Sequence, residues 1–156
     1  MPDMLVKLYT LPDNRELISR LAGEGITIRR VQPYEFSKLQ DFVRTNFDQA
    51  WADEIGASIA CQPITCFIAL KENKIIGFAA YECTRRDYFG PTGVNEVYRG
   101  RGIGQALLLA CLHAMKEMGY AYAIIGSVGP ADFYNKCVGA EIIPDSSPGI
   151  YTPIAE

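Results

Sequence analysis

The chain holds one histidine, His113, and no two of its five cysteines are spaced as Cys-x-x-Cys. A zinc site is usually built from such pairs together with further histidines or cysteines. The scarcity argues against a metal centre, and the odd number of cysteines fits reduced thiols in a cytoplasmic protein. A surplus of positive charge is missing too. Fifteen basic and eighteen acidic residues leave a net charge of −3, which does not favour nucleic acid as a partner. No apolar run approaches the ~18 residues needed to cross a membrane. The first residues lack the basic start and apolar core of a secretory leader, so none is expected. A P-loop is absent, because no glycine pair is followed by Lys-Ser/Thr. A dinucleotide fingerprint is absent as well, because Gly100, Gly102 and Gly104 do not fall as Gly-x-Gly-x-x-Gly.

What the chain does have is a strand, a glycine loop and a helix in that order. Tyr88 to Val94 reads as a strand, and Gly100, Gly102 and Gly104 close the loop. Ala106 to Leu112 is made mostly of strong helix formers. A helix N-terminus carries unpaired N–H groups and a partial positive charge, so it favours an anion. Glycine lets that anion come close to the main chain, and Arg99 and Arg101 add full charge beside it. The stretch therefore asks for a phosphate-bearing ligand.

The remainder reads as one domain over residues 1–156. Residues 1–25 look like an N-terminal extension: a strand near Met4 to Tyr9, then a short helix from a capping-box-like Asp13 and Glu16 to Leu21. Such an arm could pair two copies into a homodimer. Ile26 to Val31 reads as a strand. Phe36, Leu39, Val43 and Phe47 recur at helical spacing, and a second helix runs past Trp51 to about Ile59. Asp48, Asp53 and Glu54 make this region acidic, either as a solvated face or as a rim that draws in a cationic amine. Ile64 to Leu70 and Lys74 to Glu82 form a hairpin about Glu72-Asn73. Gly90-Pro91 interrupts the next strand, and proline there implies a bulge. Behind the loop, Ile103, Ala106, Leu107, Ala110, Cys111, Ala114 and Met118 trace a buried stripe. His113 lies on the polar side. Tyr120 to Ser127 reads as a buried strand, Ala131 to Val138 as a short helix, Ala140 to Ile143 and Ile150 to Thr152 as closing strands.

Arg99-Gly100-Arg101-Gly102-Ile103-Gly104 resembles the Arg/Gln-x-x-Gly-x-Gly/Ala signature of the GNAT superfamily of N-acetyltransferases. Phe133-Tyr134-Asn135-Lys136-Cys137-Val138-Gly139-Ala140 resembles a second segment of that family. It has one residue inserted before the glycine, and Ala140 in place of an aromatic. The resemblance covers about residues 26–143. It implies an α/β (α+β) fold: a mixed, mostly antiparallel sheet of six to seven strands, splayed into a V and flanked by about four helices. The Gly90-Pro91 interruption falls where the family's splaying strand has its bulge.

The resemblance also implies acetyl-CoA as co-substrate and a primary amine of a small molecule as acceptor. Thr92, Gly93 and Val94 would line the pantetheine arm, and the Val94 amide would polarise the thioester. Arg99, Gly100, Arg101, Gly102, Ile103, Gly104 and Gln105 would hold the pyrophosphate, so Gly102→Glu is expected to place a carboxylate where a phosphate sits. Tyr134 matches the tyrosine proposed to protonate the coenzyme A thiolate. Ser127 stands where many members have asparagine. A general base is not evident on the splayed strand; Glu82 and Glu96 are the nearest acids. Glu82 otherwise reads as a hairpin-end surface residue and Glu96 as a loop-ordering one. The alternatives are a protein or peptide N-acetyltransferase and a non-catalytic acyl-CoA sensor.

Overall fold

The computed structural model describes residues 1–156. Its strands are β1 (Met4–Lys7), β2 (Ile26–Arg30), β3 (Cys66–Lys71), β4 (Lys74–Tyr81), β5 (Tyr88–Val94), β6 (Tyr122–Ile125) and β7 (Glu141–Ile142). They form one seven-stranded sheet in the order β2-β3-β4-β5-β6-β1-β7. Every neighbouring pair is antiparallel except β5 with β6. The helices are α1 (Arg15–Gly23), α2 (Phe36–Asn46), α3 (Gln49–Glu54), α4 (Gly56–Ile59), α5 (Ile103–Glu117) and α6 (Ala131–Val138). No helix is long and apolar enough to cross a membrane.

Alternation along β4 divides the core. Phe78 and Ala80 face a smaller cluster with Leu39, Val43, Ala52 and Ile55 of α2, α3 and the turn that follows. Ala79 and Tyr81 face the larger one, with α5, β1 and β6. Successive strand residues point to opposite faces, so both sides of the sheet need cover. The larger cluster takes most of α5: Ile103, Ala106, Leu107, Leu108, Leu109, Cys111, Leu112, Ala114 and Met115 are all buried. Each large aliphatic side chain so buried contributes about 1.5–3 kcal/mol. Met118, expected to continue the stripe, is 54% exposed, because the helix has already ended and Gly119 turns the chain at φ +103.

The β3–β4 hairpin turns on Glu72 and Asn73, at φ 51 and 62. Positive φ at both central residues is the turn whose twist matches that of its strands.

Other elements differ from the sequence reading. Residues 1–25 supply an interior strand, since β1 pairs with β6 on one side and β7 on the other. The capping box at Asp13 is not formed. α1 begins at Arg15, and the Asp13 carboxylate accepts the Arg15 N–H at 2.8 Å. Ile150 to Thr152 forms no strand. The tail instead folds back so that the Tyr151 hydroxyl lies where a Cβ on Gly126 would be.

Candidate active site

Two strand ends open the site. β5 and β6 pair only at Tyr88 with Ile124 and Phe89 with Ile125. Two further bonds flank the junction, Ile124 N–H to the Asp87 carbonyl at 2.9 Å and Gly126 N–H to the Phe89 carbonyl at 3.4 Å. Ser127 then turns the chain away at φ 47, with its N–H given to Asp3 Oδ1 at 2.8 Å. The β4–β5 register shifts between Ala79 and Tyr81, opposite Gly90-Pro91. This is the irregularity the proline implied. Beyond it, β5 runs on without β6.

The edge that β5 presents to this gap follows from its ladder. Asn95 N–H donates to the Ile76 carbonyl at 2.8 Å, and Val94 faces Gly77. Bonded and non-bonded positions alternate in an antiparallel pair. The N–H and C=O of Val94 therefore point away from β4 and into the gap. Arg99 Nε donates to that Val94 carbonyl at 3.0 Å, while the amide faces the opening. By the same alternation Gly93 is bonded to β4, while the Thr92 main chain faces the gap as that of Val94 does. The Thr92 hydroxyl donates to the Phe78 carbonyl at 3.0 Å, and the Phe47 ring covers the face of Gly93.

The loop comes next. Gly100 and Gly102 adopt φ +81 and +88, the left-handed region open to glycine. Gly102 caps α5 without a side-chain bond, and the first turn of α5 holds no acid. The main-chain N–H groups from Gly100 to Gln105 donate no hydrogen bond within the chain. A run of unpaired donors at the positive end of a fifteen-residue helix favours an anion. Arg99 and Arg101 are exposed beside it, Arg101 lying 5.4 Å from the Tyr98 ring centroid. The Ile103 side chain is buried and Gln105 is half-buried. A Cβ on Gly102 would sit 2.7 Å from Arg20 Nη2 and 3.0 Å from Leu17. Side chains at position 102 thus begin toward α1, which alters the expected effect of Gly102→Glu.

Phe133 links the loop to Tyr134. A Cβ on Gly104 would lie 3.7 Å from the Phe133 ring. Phe133 and Tyr134 have centroids 5.1 Å apart, and Tyr134 packs edge-on against Phe89 at 6.3 Å. Tyr134 is buried. Burial pushes its phenol up to about 12, with Cys137 adding a smaller effect, so it keeps its proton at neutral pH.

The acids do not converge. Glu82 follows Tyr81, which faces Phe89, and its carboxylate accepts the Asp87 N–H at 2.8 Å. Glu96 is exposed in a short 3-10 turn beyond Val94. The two stand at opposite ends of β5. Asp87, also near Glu82, has a buried carboxylate oxygen without a partner, and burial first and Glu82 second push it up to about 6. Phe47 and Trp51 pack in the smaller core, whereas the Tyr81 hydroxyl accepts from Arg30 at 2.6 Å. A cavity of about 350 Å³ lined by Arg30, Thr65, Tyr81, Glu82 and Glu117 lies at the far end of α5 from the loop. His113 Nε2 is 2.9 Å from the Pro12 carbonyl and tethers the N-terminal segment.

Two residues at the site carry no motif signal. Arg20 touches the loop, and Asp3, 5% exposed, holds the end of β6. Residues 62–137 match the family model described as an acetyltransferase (GNAT) domain. Over that stretch, just under half of its length, the chain is similar to a GNAT acetyltransferase domain. No curated protein matches it. Among solved structures, it resembles a GCN5-related glucosamine N-acetyltransferase region of a fungal multi-domain beta-N-acetylglucosaminidase (20% identity, TM-score 0.74). That alignment covers 91% of this chain and 19% of the other. A GCN5-related N-acetyltransferase from Sphaerobacter thermophilus also matches (20% identity, TM-score 0.71, 91% of this chain and 48% of the other). A third likeness is to the GNAT family N-acetyltransferase YhbS from Escherichia coli, solved with CoA (21% identity, TM-score 0.50, 61% of this chain and 58% of the other). The chain thus spans less than half the length of the first two structures. At these identities the likeness is one of fold.

Proposed function

We propose that the chain transfers an acetyl group from acetyl-CoA to a primary amine of a small molecule, by direct attack within a ternary complex. The observation that carries this is the run of unpaired N–H groups from Gly100 to Gln105 beside the Val94 amide. The CoA-bound GNAT structure from Escherichia coli supports the choice of coenzyme. When bound, acetyl-CoA supplies an acyl group activated as a thioester.

The residues divide the work. The amides of Gly100, Arg101, Gly102, Ile103, Gly104 and Gln105 hold the diphosphate, with Arg99 and Arg101 adding charge. Thr92, Gly93 and Val94 give the pantetheine arm a strand edge to follow, and Ser127 borders it from β6. The Val94 N–H donates to the thioester carbonyl, where negative charge grows as the amine attacks. Tyr134, protonated at neutral pH, gives its proton to the departing thiolate. The amine must shed a proton, and Glu82 or Glu96 takes it, directly or through water. Because they flank β5 at opposite ends, only one can serve the same centre.

Thiol release from acetyl-CoA across a panel of small amines tests the reading. Acceleration by at least one small amine is expected. Release with peptide amines alone would move the acceptor to proteins. Tight coenzyme binding without release for any amine would support an acyl-CoA sensor.

A further inference from the structure

The contacts that support this loop extend beyond the motif at 99–104. Arg20 lies on α1, far outside residues 62–137. Its Nη2 donates to the Arg101 carbonyl at 2.9 Å, and Nη1 is 3.3 Å from the Glu24 carboxylate. Leu17, one helical turn earlier, packs against the same side of Gly102. α1 therefore forms a floor beneath the loop.

What that floor does follows from peptide geometry. The Arg101 carbonyl and the Gly102 N–H belong to one planar trans peptide unit, so they point in opposite directions. A donor that holds the carbonyl toward α1 turns the Gly102 N–H outward, into the row of unpaired donors. The unit joins Arg101 to Gly102, which sits at φ +88, so on that side no side chain restricts its rotation. Left to itself it could turn over and present an oxygen to the anion. Arg20 is half-exposed, with 51% of its side chain accessible, so its bond to Arg101 is not demanded by burial.

We infer that Arg20 is a positioning residue for the diphosphate of the acyl donor. It locks the Arg101–Gly102 peptide with its N–H outward, while Glu24 balances its charge. The inference rests on the acetyl-CoA reading above.

Calorimetric titration of coenzyme A into the full chain, into Arg20→Met and into Arg20→Lys tests it. Met keeps the length and apolar stem of the side chain; Lys keeps the charge and one donor. Arg20→Met should weaken coenzyme A about tenfold, the scale of one charge-assisted hydrogen bond, and Arg20→Lys should recover part of the loss. In ¹H–¹⁵N spectra of the coenzyme-free protein, the Gly102 amide should move in Arg20→Met while core amides stay in place, a change that general loosening would not produce. Equal affinity in wild type and Arg20→Met would overturn the inference. So would a loss of affinity matched by widespread shifts in the core. If wild type itself fails to bind coenzyme A, the acetyl-CoA reading fails instead.

Discussion

Tyr134 is the residue at which the proposed chemistry can be separated from coenzyme binding. Its hydroxyl belongs to a buried phenol pushed up to about 12, so it holds its proton at neutral pH, and its ring is held by Phe89 and Phe133. Tyr134→Phe keeps the ring and removes only the proton. Turnover should fall by about a hundredfold, the usual scale of a lost general acid, with coenzyme A affinity within about twofold. Steady-state kinetics beside calorimetry checks this, and full turnover in the variant would remove the role. Asp87 gives a second prediction of a different kind. Burial raises it from 3.8 to about 6 in the folded chain. Below about pH 4 both states hold the proton. As pH rises toward 6 the unfolded chain gives it up first, so native stability falls across that window. Asp87→Asn removes the titration. Its stability relative to wild type should rise between pH 4 and 6, reaching about 1 kcal/mol after solvent screening is allowed for. Urea unfolding across that range decides it; a difference that does not vary with pH would contradict it.

At the scale of elements, the site depends on how β5 is held from both faces. The Phe47 ring, at the end of α2, lies against Gly93 in the space a side chain would need. α2 can approach the sheet there only because the residue is glycine. Gly93→Ala should therefore cost about 1–3 kcal/mol by overpacking, and less in a Phe47→Ala background, where the ring is gone. A double-mutant cycle in urea reads this directly, and full additivity would contradict it. Elements set by local rules were legible in the sequence. The glycine loop and α5 follow from residues within a few positions of one another, and so do the Glu72-Asn73 turn and the Gly90-Pro91 interruption. The short final helix from Ala131 could likewise be placed because Gly139 ends it in the left-handed region. The reading of Ile150 to Thr152 as a strand failed because its apolar residues serve a tail contact at Gly126 rather than a ladder.

At the scale of the whole molecule, what the sequence hid is what joins distant segments. β1 is four residues long, too short for a periodic signal to say that it lies between β6 and β7. Arg20 and Arg101 are 81 residues apart, and no spacing rule connects them. Asp3 and Ser127 are 124 apart. Each of these contacts draws the N-terminal segment into the site, so the first 25 residues read from sequence as an extension help to hold the cleft. The acids stayed ambiguous for a related reason. Glu82 and Glu96 are both near β5 in sequence, but a strand separates its ends in space, and only the fold shows that they do not share a centre.

The account as a whole turns on main-chain donors at one helix end taking a diphosphate. A ¹H–¹⁵N titration of the full chain with coenzyme A observes those donors one at a time. The amides of Gly100 to Gln105 should move most and saturate together, with Val94 following as the pantetheine arm settles along β5. Saturating shifts elsewhere while these amides stay still, or no shifts at millimolar coenzyme, would contradict it.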